Sequence, residues 1–236
     1  VERRESARDT LIGDNRRKWL HRAINLRESR LQKAFRLIAE EPPGRFLDLG
    51  CGAGEFSARF RALGWRVCGV ELIEAQAARA RALGIHAVAG EVSSGLPFLA
   101  EEFDLVFAGE LIEHLLDTDG FLAEIHRVLR RGGALVLTTP NLASFENRIR
   151  LFLGRYPNWV DVRLGSSGHV RAYTPRVLMA QLAAHGFRVE RHVGNWVPLI
   201  PQRFVDDVKC PWLQVTGDWW PGLAMAIILK CRKPSP

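Results

Sequence analysis

Cysteine, methionine and tyrosine are all scarce in these 236 residues: four, two and two. The cysteines stand at 51, 68, 210 and 231 with no C-x-x-C pair and no zinc-finger spacing, which excludes a disulfide framework and a structural zinc site. They read as reduced thiols. No apolar run approaches the ~20 residues that cross a bilayer, so no transmembrane helix is expected. The opening VERRESARDT lacks the apolar segment of a secretory signal. A cytoplasmic protein is expected, although Val1 in place of Met leaves a removed leader open. Internal repeats and low-complexity tracts are also missing, which excludes solenoids.

What is present fits one large α/β domain. Hydrophobic residues make up 47% and charged residues 25%, the balance of a globular chain with a real core. The net charge is +7. That excess suits an anionic partner such as a phosphorylated substrate, RNA or a membrane surface, but the arginines are spread over many helices, so nucleic acid is not favoured on charge. Residues 15–40 carry Leu20, Ile24, Leu31, Phe35 and Ile38 at helical spacing and stop at Pro42-Pro43-Gly44. Residues 1–44 therefore read as a helical leader, and 45–236 as the main domain.

The chain is organised around RFLDLGCGAGEF, residues 45–56, in which a short apolar run ends in an acid and opens into glycines at 50, 52 and 54. This is strand, tight turn, helix. Glycine is needed where the backbone takes positive φ or lies against a ligand, and the helix N-terminus beyond offers unpaired N–H groups. The dinucleotide fingerprint G-x-G-x-x-G would need its third glycine where Glu55 stands, which counts against NAD or FAD.

LDLGCGAG resembles motif I of the class I S-adenosylmethionine-dependent methyltransferases, in the branch of the ubiquinone-biosynthesis O-methyltransferases. The resemblance implies that Asp48, Gly50, Gly52 and Gly54 surround the methionine part of the cofactor. It gives Glu71, which ends the second strand at 65–70, the two ribose hydroxyls, with Leu72 against the adenine. After a third strand at 85–89, Glu91 approaches the adenine amino group and Val92 contacts the ring, although Asp is commoner than Glu there. Leu96-Pro97-Phe98 and LRRGGALVLTTPN also match the family's pattern. The fourth strand, 103–108, ends at Ala108 beside the departing methyl. The implied fold is a Rossmann-like, doubly wound, mostly parallel seven-stranded sheet with an antiparallel last strand. Strand five is expected at 134–139, after a helix at 119–131; strands six and seven at 187–191 and 223–229.

Chemistry is expected just after strand four, in Glu110-Leu-Ile-Glu113-His114-Leu115. In a helical turn, Glu110, Glu113 and His114 would share one face while Leu111, Ile112 and Leu115 turn inward. His114 is the candidate acceptor base, assisted by Glu113 and by His169 downstream. The E-x-x-E-H string is also similar to the metal site of small-RNA 3′-terminal 2′-O-methyltransferases. Glu110, Glu113, His114 and His169 would then hold a divalent cation, which is the alternative to a metal-free site.

Two stretches break the βα alternation, 142–168 and 195–222. The first places Arg148, Arg150 and Arg155 among aromatics; the second is rich in Trp and Pro. Both are lid candidates that would bind the acceptor. The second is alternatively an amphiphilic surface that touches membrane. The expected activity is transfer of a methyl group to a small molecule, at oxygen; RNA 2′-O-methylation and a cofactor-binding inactive partner are the alternatives. Oligomeric state is not readable.

Overall fold

Alternation along the strands decides the layers. In β1 (Arg45–Leu49) and β4 (Phe103–Gly109), Phe46, Leu105 and Phe107 point to one face of the sheet, and Leu47, Leu49, Val106 and Ala108 to the other. Both faces are apolar, so each must be covered by helices, as in a doubly wound sheet. The computed structural model describes residues 24–161, 168–199 and 210–235. The first part of the leader, with Leu20, and the centres of both irregular stretches lie outside the described residues.

The remaining strands are β2 (Arg66–Glu71), β3 (His86–Ala89), β5 (Leu129–Pro140), β6 (Arg188–Gly194) and β7 (Ala226–Arg232). Their order is β3-β2-β1-β4-β5-β7-β6. β1 to β5 are parallel, and β7 runs antiparallel to both β5 and β6, as the resemblance implied. The order reverses between β1 and β4, and the carboxyl ends of the parallel strands at such a reversal form a crevice for ligand.

One face carries the helices α1 (Ser29–Ala39), α2 (Ala58–Arg61) and α3 (Glu74–Ala82). The other carries α4 (Thr118–Val128) and α6 (Pro175–Ala184), with α5 (Phe145–Phe152) between them in sequence. Caps set several of these starts: the side chains of Asp117, Ser144 and Thr174 accept N–H bonds from Gly120, Asn147 and Val177. Pro175 occupies the first helical position, where its missing N–H costs nothing.

Several expectations shift. α1 begins at Ser29, after a turn, and Ile24 is exposed. α2 is a single turn; Phe56 and Phe60 are buried as expected, but Leu63 is exposed because the chain has left the helix before Gly64. α4 stops at Val128 and β5 starts at Leu129, so Arg130 and Arg131 are strand residues beside a shift in the β4–β5 register. Ala183 faces solvent.

β7 starts and ends three residues later than its apolar run. It takes in Lys230 and Arg232, charges that pairing makes tolerable inside a sheet. Lys230 Nζ lies 2.7 Å from Glu41 Oε1 and 2.9 Å from Glu40 Oε2; Arg232 bonds both oxygens of Glu41, at 2.8 Å each, and Glu190 at 2.7 Å. These partners hold the Glu41 carboxyl down at about 2, Arg232 most of all.

Candidate functional site

The cofactor residues named from sequence all fall at the carboxyl ends of four adjacent strands. Asp48 lies near the end of β1, Glu71 ends β2 with Leu72 next, Glu91 and Val92 follow β3, and Ala108 lies near the end of β4. Gly50, Gly52 and Gly54 take φ of +74°, +55° and +84°, left-handed values that an L side chain adopts only with strain. A Cβ on Gly52 would meet nothing within 4 Å, so the turn presents bare backbone to open space. Backbone of that kind can approach a ligand closely.

Glu71 is tied into the turn. Its Oε2 accepts the Gly52 N–H at 2.9 Å and its Oε1 the Ile73 N–H at 2.9 Å. Each oxygen keeps a second lone pair, which is what two ribose hydroxyls would need. Burial raises its pKa against those two N–H bonds. Asp48 is deeper. Burial pushes its carboxyl up to about 7 despite the bond from Ser57 Oγ, and the nearby Glu71 adds to the rise. Glu91 accepts from Ser93 Oγ and, at 3.3 Å, from Ser94 Oγ; Val92 and Ala108 are buried.

The second group forms where the chain leaves β4. Glu110 has φ of +51°, and the turn that follows, Ile112–His114, is 3-10. The expected helical face is therefore not formed. Glu110 turns to the leader and to β5: its Oε1 accepts from Thr138 Oγ1 at 3.0 Å and lies 3.7 Å from Arg30 Nε. Among the described residues the cluster able to hold a cation is Glu113, His114 and His169, with ligand atoms all within 4.8 Å of one another, and Glu110 drops out of that set. Ile112 and Leu115 are buried as expected.

His169 reaches the cluster because its segment docks on the turn. Val170 and Arg171 N–H donate to Glu113 O at 2.8 and 3.0 Å, and Leu142 N–H to Tyr173 O at 2.8 Å. The two imidazoles meet edge to face, with centroids 4.8 Å apart. His114 Nδ1 lies 3.0 Å from Gly168 O and His169 Nδ1 2.9 Å from Trp159 O. A carbonyl only accepts, so both Nδ1 atoms carry the proton. Burial lowers the His114 pKa to about 4; the Gly168 bond opposes this and His169 reinforces it.

Glu113 is 1% exposed. Oε2 accepts from Thr139 Oγ1 at 3.0 Å, whereas Oε1 is buried with no hydrogen-bond partner. Its pKa is pushed well above the carboxylate range, first by burial and then by Glu110, against Thr139 and Arg30. A small pocket, with room of ≈ 10 Å³, lies against Glu113 and His169, walled by Pro140, Asn158, Trp159 and Tyr173. Sequence reasoning missed Ser57, Arg30, Thr139 and Trp159. They are single residues brought in by packing, and no spacing marked them.

A family profile described as "Methyltransferase domain" matches residues 19–192. A probable S-adenosylmethionine-dependent methyltransferase of Mycolicibacterium smegmatis is 31% identical over 78% of this chain and 73% of its own length. A ubiquinone biosynthesis O-methyltransferase of Bradyrhizobium sp. is 36% identical over 41% of the chain, which spans only 40% of that relative. Among solved structures, a SAM-dependent methyltransferase of Thermotoga maritima aligns with TM-score 0.66 at 21% identity, covering 94% of this chain and 95% of that one, a likeness of fold.

Proposed function

The chain belongs to the S-adenosylmethionine-dependent methyltransferases, and from that premise we propose that it moves the methyl group onto an oxygen of a small-molecule acceptor bound beside His114. The observation that carries this reading is the neutral His114, its Nδ1 proton fixed on Gly168 O, next to the pocket that Glu113 and His169 line. A sulfonium already makes its methyl electrophilic, so the protein must mainly bring donor and acceptor into line. Positioning of that kind supplies roughly 7–11 kcal/mol. As the acceptor oxygen attacks the methyl carbon, the C–S bond breaks with its electron pair going to sulfur, and His114 takes the hydroxyl proton. Adenosylhomocysteine, the methylated acceptor and a protonated imidazole balance the step. The name of the Bradyrhizobium relative, an O-methyltransferase, supports oxygen as the target.

In this reading Asp48, Gly50, Gly52 and Gly54 hold the methionine end of the donor, Glu71 and Leu72 its ribose and adenine, and Glu91 and Val92 the adenine edge. Ala108 flanks the methyl. The test is His114→Ala: turnover should fall about a hundredfold or more while adenosylhomocysteine affinity measured by calorimetry holds. An unchanged rate with an acceptor that wild type methylates would remove the base role.

A second reading has its own observation. Glu113, His114 and His169 could hold a divalent cation, and the buried Glu113 Oε1 without a hydrogen-bond partner beside two imidazoles supports that reading. When bound, such an ion lowers the pKa of an acceptor hydroxyl. Chelation should then abolish turnover and added Mg²⁺ or Mn²⁺ restore it, and Glu113→Gln should weaken cation binding in calorimetry. Full turnover after exhaustive chelation would leave the metal-free site. RNA as acceptor would add binding that falls steeply with salt.

A further inference from the structure

Hydrogen bonds join residues 159–161 to residues 168–169, and they bear on both imidazoles of the site. Asp161 Oδ2 accepts the Gly168 N–H at 2.7 Å and the His169 N–H at 3.3 Å. Gly168 O meets His114 Nδ1 at 3.0 Å, and Trp159 O meets His169 Nδ1 at 2.9 Å. The peptide unit between Gly168 and His169 is thus held at both ends, its N–H on Asp161 and its carbonyl on His114.

The backbone is bent to make these bonds. Gly168 has φ of +84°, which glycine takes without strain. Trp159 has φ of +65°, a left-handed value that a bulky side chain adopts only with strain. Strain of this kind persists where the surrounding structure holds it, and it gathers at functional sites. Here the turned backbone goes with a Trp159 carbonyl set against the His169 ring. The walls of the pocket include Trp159 and Val160 but not Asp161, so any influence of this carboxylate on the site passes through the peptide it grips.

We propose that Asp161 is a positioning residue, which fixes the proton-bearing nitrogens of His114 and His169 and so holds His114 in the form that can accept a proton. A carbonyl kept at Nδ1 leaves the lone pair of a neutral ring on Nε2, whereas a ring without that acceptor divides between two tautomers. Removing the Asp161 oxygen takes the acceptor from the Gly168–His169 peptide, which can then rotate and carry the Gly168 carbonyl off His114. A base whose orientation is divided among conformers loses rate, because it must stand within hydrogen-bond reach of the proton it takes. The effect on turnover rests on the proposed methyl transfer; the orientation of the rings does not.

The experiment is ¹⁵N NMR of the histidine side chains in the full chain at about pH 8, where an ordinary imidazole is neutral. The His114 and His169 signals are assigned from His114→Gln and His169→Gln. In wild type both rings should show the tautomer protonated at Nδ1, and the other tautomer at either ring overturns the proposal before any variant of Asp161 is made. Asp161→Ala should move the His114 signals to the average of two tautomers and lower kcat about tenfold or more, with adenosylhomocysteine affinity unchanged. Asp161→Asn keeps an acceptor oxygen and should restore both the tautomer and most of the rate. Wild-type signals in Asp161→Ala overturn the proposal, since the carboxylate then only braces the loop. So does an Asp161→Asn variant as impaired as Asp161→Ala, which assigns the effect to charge. Signals displaced in Asp161→Ala and restored in Asp161→Asn, with full turnover in His114→Ala, leave the orienting role standing and remove His114 as the base.

Discussion

A buried carboxyl beside the glycine turn after β1 makes stability depend on pH. Asp48 has its pKa raised by burial to about 7, so between about 4 and 7 the folded chain holds a proton that the unfolded chain has released. Stability from this group is therefore lost as pH rises through that window and is constant above it. Asp48→Asn removes the titration with little change of shape. The stability of the variant relative to wild type should increase between pH 5 and pH 7.5, on the order of 2–3 kcal/mol, as read by urea unfolding at the two values. A flat difference would mean that Asp48 stays ionised in the fold. His114 shows how far such residues were legible. The string E-x-x-E-H named Glu113 and His114 as candidates and a lone downstream histidine added His169, and packing brings His169 to 4.8 Å from His114 between ring centroids. Glu110 is not on one helical face with them, because i, i+3, i+4 spacing presumes a helix and the φ of +51° at Glu110 breaks it.

Elements follow their end signals more closely than their apolar runs. The turn after β1 depends on Gly54, whose φ is +84° and whose absent Cβ leaves room for α3: a methyl there would sit 2.5 Å from Ile85 Cδ1 and 3.1 Å from Ala80 Cα. Gly54→Ala should cost roughly 2–4 kcal/mol, the left-handed penalty plus overpacking, and a lowered melting temperature in calorimetry checks it. A loss under ~0.5 kcal/mol would show that α3 can move away freely. β1 to β4 and the 134–139 part of β5 were readable because their interiors are mostly apolar runs, whereas the start of β5 at Leu129, with Arg130 and Arg131 inside it, was not. β7 was read three residues early: Lys230 and Arg232 look like the end of a strand until Glu41 of the leader and Glu190 of β6, distant in sequence, are there to pair them. α4 ends three residues earlier than expected because Leu129, which continues the helical spacing and is buried, packs as the first residue of β5.

At the scale of the molecule, both irregular stretches rise from the edge of the sheet that carries the site, and one leader residue ties the second of them down. Asn141, just past β5, donates through Nδ2 to Gly222 O and Ala224 O, while its own carbonyl accepts from Asn147 of α5. On the opposite face Lys33 of α1 is buried, and its ammonium reaches Gly194 O at 2.7 Å, Gln214 O at 2.6 Å and Asp218 Oδ1 at 2.8 Å. α7 (Gln214–Trp219) is thereby clamped to the leader and to the end of β6 by one cation. Its apolar anchoring is small: Trp196, Leu213 and Met225 form a separate cluster, while Trp212 and Trp219 are more than half exposed. A segment with few buried contacts opens locally before the sheet does. Lys33→Met keeps the aliphatic stem and deletes the charge, leaving two carbonyls without their donor. Hydrogen exchange in 210–222 should then rise at least tenfold, since a lost charge-assisted bond is worth about 1.5–3 kcal/mol, while exchange in β1, β2 and β4 stays at the wild-type rate. If 210–222 keeps its protection, the clamp is dispensable and the three-residue cluster around Trp196 suffices. If the strands lose protection as well, α7 and the sheet unfold as one unit, and the second stretch is part of the core instead of a lid over it.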